Sequence, residues 1–136
     1  MRCKVIRKEM FNAAHRLNNP EWSDEKNATF YDKCNYPNFH GHNYLLEVHV
    51  TGPIDPESGY VMDMKVLASL IKKHIHDKFD HKNLNLDIPE FKTLNPTAEN
   101  IVKLSYEILK PLLKSDLDLY LVLHETEKNI VAYPIL

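Results

Sequence analysis

The sequence predicts an α+β fold in which strands occupy the two ends of the chain and helices the middle. Two stretches, 40–51 and 117–124, alternate apolar and polar side chains, the period of a strand with one buried face. Two others, 63–79 and 97–110, repeat apolar residues at helical spacing. Strands segregated from helices in the order ββααββ predict a four-stranded antiparallel sheet with two helices on one face.

Taken in order, 4–17 reads as the first strand, with Val5, Phe11 and Ala13 on one parity and His15 continuing it. Residues 18–38 are polar and rich in Asn and Asp, a loop long enough to suggest function. The second strand, 40–51, places Tyr44, Leu46, Val48 and Val50 on one face and Glu47 and His49 on the other. Gly52-Pro53 and Ser58-Gly59 mark turns. Asp63 is an N-cap for a helix reaching Phe79, its buried stripe being Val66, Leu67, Leu70, Ile71, His74 and Ile75. Residues 80–95 read as irregular. Thr97 caps a second helix carrying Ile101, Leu104, Ile108 and Leu109, which ends near Pro111. Leu117, Leu119, Leu121 and Leu123 form the apolar face of a third strand, and Glu127-Lys128-Asn129 turns into a fourth over 130–135. Such a sheet has two open edges, which favours strand-to-strand oligomerisation.

Bulk properties narrow the function. A length of 136 residues makes a single domain, 1–136, with no repeat or linker. Lys+Arg 17 against Asp+Glu 19, with no basic block, gives no footprint for nucleic acid or an anionic membrane. No apolar run approaches spanning length and the N-terminus carries no apolar signal segment, so a cytoplasmic location is expected. Cys3 and Cys34 are too few for a disulfide framework, which leaves Cys34 available as a thiol.

His40-Gly41-His42 is the most informative segment. On a strand, both imidazoles project from one face, the spacing that chelation needs. With His15 the set would be three histidines, which leave a tetrahedral Zn2+ one position open for chemistry. His15 cannot be assigned from local spacing. His49 sits on the opposite strand face, and His74 and His76 diverge on their helix, so these three read as structural or solvated. Cys34 lies in a polar loop beside the histidine pair. There it is either a thiolate base with a pKa lowered by a neighbouring cation or a fourth metal ligand that closes the site. His81, just past a helix end, either interacts with the helix dipole or accepts a proton with Asp80 orienting it. Glu99 in a helix's first turn and Thr97 as a cap have structural explanations. Glu125 continues the apolar parity of its strand, so it points toward the buried face, where a carboxylate needs a partner with paired N–H donors.

Taken together, Phe11-Asn12-Ala13-Ala14-His15-Arg16-Leu17, Lys33-Cys34-Asn35 through His42-Asn43-Tyr44, Phe79-Asp80-His81-Lys82-Asn83-Leu84, Thr97-Ala98-Glu99-Asn100 and His124-Glu125-Thr126 resemble the 6-pyruvoyl-tetrahydropterin synthase family. The resemblance spans nearly the whole sequence. It implies zinc held by His15, His40 and His42, Cys34 as proton-abstracting base with Asp80 and His81 as its relay, and Glu125 anchoring the pterin with Thr97 and Glu99 assisting. It also implies the tunnelling fold, in which subunit sheets close a barrel, usually as a hexamer of two trimers with sites at subunit interfaces. The implied reaction is a lyase conversion of 7,8-dihydroneopterin triphosphate to 6-pyruvoyl-tetrahydropterin with loss of triphosphate, as in tetrahydrobiopterin synthesis. Arg2, Arg7, Arg16, Lys33 and Lys82 are all open as triphosphate contacts.

The rival within the family is 6-carboxy-tetrahydropterin synthase of queuosine and deazapurine synthesis, which uses the same substrate. That branch typically has three residues between cysteine and His-Gly-His, whereas five intervene here, Asn35 to Phe39. Pro96 before Thr97 resembles the carboxy branch, and Tyr36 and Phe39 depart from the Asn and Gly common in animal pyruvoyl synthases. A third branch, which cleaves dihydroneopterin, uses a glutamate in the cysteine region, and none lies between Cys34 and His42. From other classes, a non-catalytic zinc or pterin-binding module would keep its function without Cys34. A zinc hydrolase would need a carboxylate base instead.

Overall fold

The computed structural model describes residues 1–135. Two long strands, β1 (Arg2–His15) and β2 (His40–Pro53), pair antiparallel along their whole length, from Arg2 opposite Pro53 to His15 opposite His40. Between them in sequence lie a helix, α1 (Asp24–Tyr31), and a 3-10 turn (Asp32–Asn35). After β2 a helix begins at the Asp63 cap, whose carboxylate accepts from Lys65 N. It runs as α2 (Met64–Ile71), a π turn (Lys72–His76) and α3 (Asp77–Phe79). A two-residue strand β3 (Lys82–Asn83), a turn α4 (Leu84–Asp87) and a 3-10 turn (Pro89–Lys92) follow. Next comes α5 (Ala98–Leu109), capped by the Thr97 hydroxyl on Asn100 N. The last two strands are β4 (Asp118–His124) and β5 (Ile130–Tyr133).

The architecture is α+β, but the sheet has five strands in the order β3-β1-β2-β4-β5, not four. It is also mixed, because β3 pairs parallel with β1 through Ala13 and Ala14 while the other pairings are antiparallel. A strand of two residues has no alternation to read, so 80–95 looks irregular in sequence. The 18–38 segment, expected as a loop, likewise contains α1. Only Asn27 of that helix is buried, so no apolar stripe announces it. The legible signal is the cap: Ser23 accepts from Lys26 N, with Asp24 and Glu25 in the first turn.

The core lies between one face of the sheet and the helices. Phe11, Ala13, Tyr44, Leu46, Val48, Val50, Leu119, Leu121 and Leu123 pack from the strands against Leu67, Ile71, Ile75, Phe79, Ile101 and Leu109. Val66, expected in the buried stripe, is 51% exposed. No helix among the described residues is long and apolar enough to cross a membrane.

Candidate metal centre

The core-facing rows of β1 and β2 end in histidine. Antiparallel pairing sets His15 opposite His40 and Ala13 opposite His42, so the three imidazoles share a face at one end of the sheet. One ring nitrogen from each lies within 4.8 Å of the others. Ring centroids stand 4.6 Å (His15–His40), 5.1 Å (His15–His42) and 5.0 Å (His40–His42) apart.

The tautomer of His15 follows from its surroundings. Its Nδ1–H donates to the carbonyl of Pro96 at 2.7 Å, which leaves the lone pair on Nε2. That Nε2 is buried without a hydrogen-bond partner, as is His40 Nδ1. Burial, more than the neighbouring His40 and His42, lowers the His15 pKa to about 4, and burial followed by His42 lowers that of His40. His15 is therefore a neutral, oriented donor at neutral pH. A buried, unpartnered nitrogen is costly, and a cation held by the cluster would remove that cost for both. The set fits zinc: three imidazoles, with a fourth position left open.

Two further residues sit beside this cluster. Glu125 follows β4 on its core-facing parity, and its Oε2 lies 3.9 Å from His15 Nε2. Burial, the larger cause, raises its pKa together with Glu99, while His42 opposes them. Glu99 stands in the first turn of α5, which Thr97 caps. Cys34 is half-buried on the turn after α1, its carbonyl accepting from Leu17 N at 2.8 Å. Its thiol is not part of the convergent donor set. Burial first, then Glu125 and Asp32, push that thiol up rather than down.

Asp80 accepts from Asn12 N at 2.9 Å and from His81 Nδ1 at 2.6 Å, and these contacts hold its carboxyl below the usual range. The His81 side chain is 82% exposed, on backbone with φ 59°. Among the described residues no hydrogen bond joins either one to Cys34. Sequence reasoning missed two contributors. The Pro96 carbonyl, a backbone group, leaves no signal in residue type. Tyr44, fully buried beside His15 with its hydroxyl 3.4 Å from Nδ1, reads as ordinary core.

The family profile described as 6-pyruvoyl tetrahydropterin synthase matches residues 4–134. The chain belongs to that family. It is 42% identical to the 6-pyruvoyl tetrahydrobiopterin synthase of Poecilia reticulata over 129 residues, 95% of this chain and 88% of the relative. With the Homo sapiens protein of the same description it shares 40% identity over 134 residues, 97% and 92% of the two chains. The solved structure of Caenorhabditis elegans 6-pyruvoyl tetrahydropterin synthase superposes with a TM-score of 0.92 at 38% identity, covering 98% of this protein and 95% of that one.

Proposed function

We propose that this member of the family converts 7,8-dihydroneopterin triphosphate to 6-pyruvoyl-tetrahydropterin with loss of triphosphate. The observation that carries the reading is the convergence of three imidazoles, two with a buried unpartnered nitrogen, beside a thiol and an inward carboxylate. His15, His40 and His42 would hold zinc, which as a Lewis acid acidifies C–H bonds next to the substrate oxygens it binds. Glu125 accepts the paired N–H donors of the pterin, a partner suited to a half-buried carboxylate, with Glu99 and Thr97 at the adjoining helix start. Cys34 takes and returns the proton of the substrate's side arm. Its thiol is held high within the single subunit, so it needs positive charge and a proton acceptor nearby.

His81 is that acceptor. Asp80 fixes its Nδ1–H and so leaves Nε2 free to accept, yet the ring points into solvent. A ring exposed this way reaches a thiol across a subunit boundary, and the open edges at β3 and β5 allow sheets to join into a barrel, a hexamer of two trimers. Incubation with dihydroneopterin triphosphate and mass analysis of the pterin tests the reaction. A pyruvoyl product supports it, a carboxy product with acetaldehyde replaces it with the other branch, and no product overturns it. Mixing inactive Cys34→Ala and His81→Ala proteins tests the shared site. Activity that reappears on mixing supports a thiol and imidazole from different copies, and persistent inactivity contradicts it.

A further inference from the structure

We propose that a cleft of about 690 Å³ beside the histidine cluster seats the triphosphate, with Arg16 and Lys92 as its cationic contacts. This rests on the pterin triphosphate reading above and names the residues that serve the leaving group. The cleft begins where the histidine cluster ends. Among its walls are Arg16, which follows His15, Phe39, which precedes His40, and Pro96, whose carbonyl orients the His15 ring.

Its charge is one-sided. Arg16 and Lys92 line it, asparagines supply much of the remaining polar surface, and no carboxylate faces it. Both cations are held by backbone carbonyls rather than by acids. Arg16 Nε donates to Asn35 O at 2.7 Å, and Lys92 Nζ donates to Leu86 O at 2.7 Å. Neither has an ion-pair partner among the described residues. A guanidinium fixed through Nε keeps its two terminal nitrogens for a bidentate phosphate contact. Of the other cations that the sequence leaves open, the two arginines at the far end of β1 are placed less well. Arg2 is paired with Asp118, and Arg7, opposite Val48, lies eight residues up β1, roughly 26 Å from His15 at strand rise.

Phe39 adds a second observation. It holds φ 68°, a left-handed conformation that a bulky residue rarely adopts, and it lines the cleft. Strain of this kind persists where the surrounding structure enforces it, here at the wall between the cleft and His40. When the C–O bond to the triphosphate breaks, its electron pair leaves on the triphosphate oxygen, and Arg16 and Lys92 face the charge that develops there.

The test measures inorganic triphosphate binding to zinc-loaded wild type, Arg16→Gln and Lys92→Met by calorimetry, with metal content assayed before and after. Neopterin, which carries no phosphate, is titrated in parallel, and turnover of dihydroneopterin triphosphate is recorded separately. The expected result is at least a fivefold loss of triphosphate affinity in each variant, neopterin affinity within twofold of wild type, and a raised KM. Lys92 is exposed, so its variant keeps the test decisive should Arg16→Gln fold poorly. Equal triphosphate affinity in wild type and Lys92→Met overturns the cleft, even with normal turnover. Weakened affinity in the variants, alongside a wild type that turns over no substrate, supports the cleft and overturns the reaction instead.

Discussion

β2 carries two pairs of polar residues at the same i,i+2 spacing, and they end in different chemistry. His40 and His42 meet His15 from β1 on the core-facing side of the sheet. Glu47 and His49 lie on the opposite side and meet His124 from β4. There Glu47 accepts from His49 Nε2 at 3.0 Å and from His124 Nε2 at 2.6 Å. In the second set a carboxylate takes the inward N–H of both rings, so their lone pairs sit on the nitrogens facing away from it. In the first set a backbone carbonyl outside the cluster takes the N–H of His15, so its lone pair points inward. Strand spacing gathers the rings, and the group that holds the outer nitrogen decides whether they can bind a cation.

Three substitutions break or sharpen that contrast. His42→Ala, at a half-buried ring, should abolish metal uptake and lower turnover by about a thousandfold or more, measured by metal analysis and steady-state rates. Glu47→Gln should leave metal and turnover intact but cost about 1 kcal/mol of stability near pH 7, read from urea denaturation. Hydrogen bonds from His49, then His124, hold the Glu47 pKa below its ordinary value. The contribution is therefore complete above the unfolded carboxylate range of about 4.3 and is lost as pH falls through the lowered value. The gap between wild type and Glu47→Gln should close below about pH 4. The smallest effect belongs to Gly41→Ala. An added Cβ would meet only Ala13 O, at 3.6 Å, so metal content should not change and stability should shift by less than about 0.5 kcal/mol.

Much of this was legible in the sequence because it repeats. Alternation along β2 and β4 located the core face and, by continuation, Glu125. His40-Gly41-His42 announced its own geometry, and His15 joined it through the family motif. Three things were hidden by the same logic. β3 is too short to show a period, and α1 buries only Asn27 and so has no stripe. Lys92 lies in a 3-10 turn whose place in one cleft with Arg16 is set by tertiary contacts between residues far apart in sequence, not by any local pattern. The same holds for the outward placement of His81, which its adjacency to Asp80 in the motif does not reveal.

The central claim is a cation held by three imidazoles, with the Cys34 thiol beside it and not bound to it. Titrating zinc into metal-free wild type and Cys34→Ala, with bound metal counted per subunit, tests this most directly. One ion per subunit in both proteins, with affinities within a few-fold, is the predicted result. An ion lost with the cysteine, or none taken up by wild type, would contradict it.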